Sequence, residues 1–176
     1  MQINVPSTIP FAREDVFAAY RDDLASLVQS LPNISKIETV SRDEPEDGIV
    51  TLENHWYAEA NIPKVAQAFI KPDMLKWIDY ARWNKNDSTC EWRIETFFMR
   101  EAVSCSGKNY FKVQGDKATG LTITGDLNLN MKAVPGVPRL LAGTVKPQLE
   151  KFIVALITPN FHTINEGIVS FLKSKG

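Results

Sequence analysis

The side chains best suited to proton transfer or ligation in this 176-residue chain are two histidines, two cysteines and a scatter of carboxylates. His55 lies in the run Glu53-Asn54-His55-Trp56-Tyr57, where Glu53 or Tyr57 could orient it as a general base. Alternation along that run puts Glu53, His55, Tyr57 and Glu59 on a polar face and Val50, Leu52, Trp56 and Ala58 on the other, which favours a solvated or interstrand histidine. At about 100° per residue, His162 falls nearly opposite the centre of the apolar face of a C-terminal helix, so solvent is its expected neighbour. Cys90, Cys105 and the two histidines show no zinc spacing, so a metal site is not expected. No G-x-S-x-G elbow occurs and no glycine-rich phosphate loop precedes a helix, which argues against a serine triad and against nucleotide binding.

By the same helical count Asn160 falls among Phe152, Leu156 and Ile164. A buried amide has to satisfy its hydrogen bonds, so Asn160 could anchor the polar end of a bound molecule; equally, Pro159 could reset the helix and leave Asn160 as a cap. Asn54, on the inner face of its strand, poses the same question. Trp56, Trp77, Trp83, Trp92, Phe98 and Phe111 could wall a cavity or simply fill a core. The candidate ligand-binding residues are therefore Asn54, Trp56, Trp92, Ile94, Phe98, Leu121, Ile123, Leu127, Leu129, Phe152, Leu156 and Asn160. No catalytic residue is assigned and no cofactor is implied. Were such a cavity to do acid–base chemistry, Asp79 and Glu95 are the candidates, depending on the face each strand presents.

These residues need elements to hold them. Residues 2–9 alternate as a first strand. Val16, Phe17, Tyr20, Leu24, Leu27, Val28 and Leu31 recur at helical spacing behind acidic Glu14 and Asp15, which predicts one helix from Arg13 to Leu31, stopped by Pro32. Residues 34–44 and 48–59 read as a hairpin, residues 63–75 as a helix interrupted at Pro72, and residues 77–84, 90–100 and 103–114 as further strands. The last strand has the clearest alternation, with Leu121, Ile123, Leu127, Leu129 and Met131 facing one way and Thr122, Thr124, Asp126, Asn128 and Asn130 the other. Gly125 interrupts the apolar row, which permits a bend or the close approach of another group. From Val137 to Lys175 the period lengthens to about 3.6 residues, with Pro147 and Pro159 each expected to start a turn or a kink. An amphipathic helix so long needs a broad apolar partner, and the preceding strands supply it.

The fold class expected is α+β: a curved antiparallel sheet of about seven strands wrapped around a long C-terminal helix, in one domain spanning residues 1–176. Twenty basic against twenty-one acidic residues leave a net charge of −1, and no basic run is available to neutralise phosphates, so nucleic acid is not an expected partner. No stretch reads as a signal peptide or a membrane span, and two cysteines form neither a C-x-x-C motif nor a disulfide framework, which points to a cytoplasmic protein with both thiols reduced, although their spacing also allows a single bridge. The apolar run Phe152 to Ile157 offers a surface for transient membrane contact, although docking on the sheet explains it equally. Oligomeric state is not readable.

The segments Val5-Pro6 through Ile9-Pro10, Arg13-Glu14-Asp15-Val16-Phe17, Leu31-Pro32-Asn33-Ile34 and Ile37-Glu38 resemble the first strand, first helix and start of the second strand of the START-like (SRPBCC) helix-grip superfamily. That superfamily includes birch-pollen-allergen-type proteins, lipid-transfer domains and polyketide cyclase/dehydrase-like proteins. The chain departs from the commoner bacterial members at residues 60–76 and in the prolines of its final helix. The resemblance implies a hydrophobic small molecule or lipid held between sheet and helix. An enzyme of cyclase, dehydratase or hydrolase type in the same cavity is the first alternative, and an interaction module with a solid core the second.

Overall fold

The chain runs through β1 (Gln2–Ile9), α1 (Arg13–Asp22), β2 (Ile34–Glu46), β3 (Ile49–Ala58), β4 (Lys76–Asn84), β5 (Thr89–Thr96), β6 (Val103–Val113), β7 (Thr119–Leu129) and α2 (Ala142–Lys175). Turns of 3-10 helix occupy Leu24–Ser30, Pro72–Met74 and Met131–Ala133. The structure, a computed structural model, describes residues 1–31, 33–62, 64, 67, 71–97, 100–134, 137, 140 and 142–175, with backbone alone for 155–160.

All seven strands join one antiparallel sheet in the order β1-β7-β6-β5-β4-β3-β2. The chain meanders from β2 to β7, and β1 closes against β7, so α1 and the 3-10 turn after it carry the backbone from one sheet edge to the other. Pro6 and Pro45 both fall in edge strands, where a missing ladder donor is tolerated. The hairpin between β2 and β3 turns on Asp47-Gly48, and Gly48 takes φ +76°, which suits glycine.

Burial alternates as the side-chain period of a strand requires. In β3, Val50, Leu52, Asn54, Trp56 and Ala58 are buried and the residues between them are half-buried. In β7, Leu121, Ile123, Leu127 and Leu129 are buried, whereas Asp126 and Asn128 are exposed. Against this inner face pack Val16, Phe17, Ala19 and Tyr20 of α1 and Val145, Leu149, Phe152, Ile164 and Ile168 of α2, in one continuous core. The α+β helix-grip architecture read from the sequence is the one observed.

Several boundaries differ. The expected first helix ends early: Asp23 N–H bonds Ala19 O to close α1, and both Ser26 N–H and Ser26 Oγ–H donate to Asp23 O, at 3.0 and 2.6 Å. Such local bonding competes with the α-helical ladder, and the chain continues as a 3-10 turn that buries Leu27. β5 stops at Thr96, short of the expected Arg100, and its pairing with β6 runs no further than Ile94–Cys105. Pro72–Met74 forms a short turn at the proline where the expected helix is interrupted. Residues 63, 65, 66 and 68–70 of the helix expected over 63–75 lie outside the described residues, as do Phe98 and the side chains of Leu156 and Asn160. The final helix starts at Ala142, later than Val137, and runs on as one helix through Pro147 and Pro159. Among the described residues no helix is long and apolar enough to cross a membrane.

Candidate functional site

Between the inner face of the sheet and α2 the described residues leave a cavity of about 110 Å³. Strand register builds its wall. Trp77, Asp79, Ala81 and Trp83 are alternate residues of β4 and share a face. Trp56, Asn54 and Leu52 of β3 stand opposite the first three of them, and Ile94, Trp92 and Cys90 of β5 stand opposite Asp79, Ala81 and Trp83. Tyr20 and Leu24 border the space from the α1 side, and Phe161 and Ile164 from α2.

Asp79 is the chemical centre of this wall. What surface it keeps faces the cavity, while protein packs around its carboxyl; that desolvation pushes its pKa from the ordinary 3.8 up to about 6. Asn54 opposes the rise by donating Nδ2–H to Asp79 Oδ2 at 3.3 Å. The orientation of that amide is fixed from outside, because Thr39 Oγ–H donates to Asn54 Oδ1 at 2.8 Å and leaves the NH₂ facing the carboxylate. The Trp56 indole lies near enough to the carboxyl to favour its ionised form slightly, but Trp56 Nε1 has no acceptor at hydrogen-bond geometry. Among the described residues Trp83 Nε1 is likewise buried without an acceptor, and the Trp83 ring packs at a right angle to Phe17.

Trp92 is seated by two missing side chains. Gly107 stands opposite it on β6, and Gly125 stands opposite Gly107 on β7. A Cβ at Gly107 would come within 2.4 Å of the indole, and one at Gly125 within 2.7 Å. The ring therefore lies along the sheet in a trough that only glycines leave open, and Trp92 Nε1–H donates to Asn109 Oδ1 at 2.9 Å. Trp56 and Trp77 stack with ring centroids 5.7 Å apart, which gives the cavity a second flat aromatic wall.

Tyr20 O–H donates to Asn165 Oδ1, and Asn165 Nδ2–H to Ser7 Oγ at 2.7 Å, a buried polar chain linking α1, α2 and β1. Burial holds the Tyr20 phenol well above its usual range and raises the thiols of Cys90 and Cys105, the latter to about 11. Both cysteines are free.

Of the wall residues expected from sequence, Asn54, Trp56, Trp92, Ile94 and Ile123 border the cavity. Leu121, Leu127, Leu129 and Phe152 are buried in packed core and do not border it; Leu127 has no exposed surface at all. Phe98, Leu156 and Asn160 fall where the structure describes no side chain. The two carboxylates part company. Asp79 faces inward, whereas Glu95 lies on the outer face, paired with Arg93 and Arg100 at 3.1 and 3.0 Å. His55 is also outward, 2.8 Å from Glu53 Oε1 and edge-on to Phe97, and His162 is exposed. Sequence reasoning missed Tyr20, Leu24, Leu52, Ala81, Cys90, Asn109, Phe161 and Ile164 as cavity residues, and the Asn165 bridge. Asn165 had a signal: it falls one turn from both Phe161 and Ile168 on the apolar stripe.

No protein-family model matches this sequence, and no curated protein matches it significantly. Solved structures match it in shape. TTHA0849 from Thermus thermophilus is 16% identical with a TM-score of 0.69, the match covering 97% of this chain and 98% of that one. The Zhui aromatase/cyclase from Streptomyces sp. R1128 is 14% identical with a TM-score of 0.66, covering 98% and 93%. Norcoclaurine synthase from Thalictrum flavum, in complex with dopamine and hydroxybenzaldehyde, is 13% identical with a TM-score of 0.60, covering 100% and 88%. The fold is thus the START-like helix-grip fold. At these identities the likeness establishes architecture and carries no activity with it.

Proposed function

We propose that this protein binds a compact, largely apolar molecule in the cavity beneath α2, with the guest's polar end oriented by the Asn54–Asp79 pair. The observation that carries this reading is a mostly aromatic and aliphatic hollow bordered by the hydrogen-bonded Asn54–Asp79 pair. Volume limits the guest. An apolar cavity of roughly 150 Å³ holds benzene, so about 110 Å³ suits a molecule of single-ring size or less and does not suit a lipid chain. Phe152, at the head of the run considered for membrane contact, is buried, which favours a guest delivered from solution. The aromatase/cyclase and the norcoclaurine synthase complex named above lend the reading support by fold. Native mass spectrometry of freshly purified protein is expected to show a population heavier by one small molecule, released on denaturation. A wholly unliganded spectrum, with no chemical-shift response to added ring-sized compounds, would refute the reading.

The position of Asp79 also favours a second reading, acid–base catalysis on the guest. A carboxylate held near pKa 6 and desolvated can take a proton from a bound C–H or O–H group, the step that cyclisation and dehydration both need. Turnover of a guest that vanishes in Asp79→Asn while binding persists would support it, and turnover surviving that change would refute it.

A further inference from the structure

We infer that the guest is a small organic cation, a protonated amine on a compact apolar body; this rests on the cavity being a binding site. The geometry behind it is a carboxylate in an aromatic box with no cation to meet it. Among the described residues none of the side chains bordering the cavity is Lys, Arg or His. The other titratable groups bordering the cavity are Cys90 from β5 and Tyr20 from α1, both held protonated by burial, while β3 offers the neutral Asn54, β6 the neutral Asn109, and α2 the apolar Phe161 and Ile164.

The hydrogen bonding already selects the charged form. With Thr39 fixing the Asn54 amide, Asp79 meets an N–H donor, which suits a carboxylate and gives a protonated acid no acceptor. One bond of 3.3 Å leaves most of the carboxylate lone pairs unused. An ammonium group supplies both the missing charge and up to three donors. Trp56, Trp77 and Trp92, which border the cavity, supply aromatic rings that attract a cation and do not attract an anion. A neutral guest would leave the carboxylate uncompensated, and a second anion would be repelled by it.

The test is calorimetric titration of three probes built on one ring, cyclopentylamine, its isostere cyclopentanol and the larger cyclopentanecarboxylate, into the wild-type protein at about pH 7.5. The amine is expected to bind at least about tenfold more tightly than the alcohol, and the carboxylate more weakly than either. With Asp79 near pKa 6, its ionised fraction falls about tenfold between pH 7.5 and pH 5, and affinity for the amine should fall with it while the alcohol is unaffected. Asp79→Asn should erase the preference for the amine over the alcohol; the wild-type pH series tests the same point should that variant misfold. Equal affinity for amine and alcohol, or amine binding indifferent to pH, overturns the charge assignment and leaves the cavity reading standing. Failure of all three probes to bind overturns both.

Discussion

Replacing Asp79 with asparagine should make the protein more stable near neutral pH, at the expense of the group that defines its cavity. The carboxyl is easier to protonate in the folded chain than in the unfolded one, so the folded state binds more protons between the ordinary 3.8 and about 6. Stability from this group is therefore complete below about pH 4, is lost as pH rises through 6, and is flat above. At about 1.4 kcal/mol per pH unit the loss is about 3 kcal/mol. The substituted amide carries no charge to desolvate and its oxygen can still accept from Asn54, but its NH₂ lacks an acceptor, which returns about 1–2 kcal/mol of the gain. A net stabilisation of about 1–2 kcal/mol at pH 7.5 is expected, or several degrees in Tm. Asp22, held below the usual carboxylate range by Arg21 and then Arg42, acts in the opposite sense, but it does so in both proteins and cancels in the difference. Denaturant unfolding of both proteins across about pH 4 to 8 measures this. Parallel stability profiles would refute the argument, because they would mean that Asp79 ionises as readily folded as unfolded.

Gly125→Ala should cost about 1–3 kcal/mol and alter the near-ultraviolet circular dichroism of the tryptophans, since its Cβ would lie 2.7 Å from the Trp92 ring and 2.8 Å from Ser106 O. Unchanged melting would contradict the seating of that indole. Ala81→Leu, projecting from the cavity wall, should weaken cyclopentanol binding about tenfold or more with the far-ultraviolet spectrum preserved, whereas the same affinity would show that the probe sits elsewhere. Cys90 and Cys105, buried and held protonated, should resist a thiol reagent at about pH 8 until the protein unfolds; prompt labelling of either in the folded state would contradict their burial.

Strand faces were legible because a period of two residues is hard to mistake: the rows of β3 and β7 came through residue by residue. Gly125 was legible as a place of close approach, though its partner, Trp92, comes from two strands away and only register names it. The break after Asp22 was not legible, since the apolar stripe runs on past it through Leu24 and Leu27 while the hydrogen bonds of Ser26 to Asp23 decide the conformation. Nor could an inward-facing residue be sorted into cavity or core. Leu127 and Ile123 share one face of one strand, yet Ile123 borders the hollow and Leu127 is sealed in packing. That difference depends on which side chains of α1 and α2 arrive above each of them. Asp79 and Glu95 were level candidates for a different reason: the face each strand turns inward is set by pairing, which aligns Asp79 with the inward Ile94 and leaves Glu95 outside.

The central claim is that a guest enters the space bounded by β3, β4, β5 and α2. Intermolecular nuclear Overhauser effects between cyclopentanol and the methyl groups of isoleucine, leucine and valine test it most directly. Contacts are expected to Ile94, Ile123 and Ile164, which border the cavity, and none to Ile37 or Ile49, which are buried but do not border it. Contacts absent from the first group, or confined to exposed residues such as Val113 and Leu140, would contradict the account.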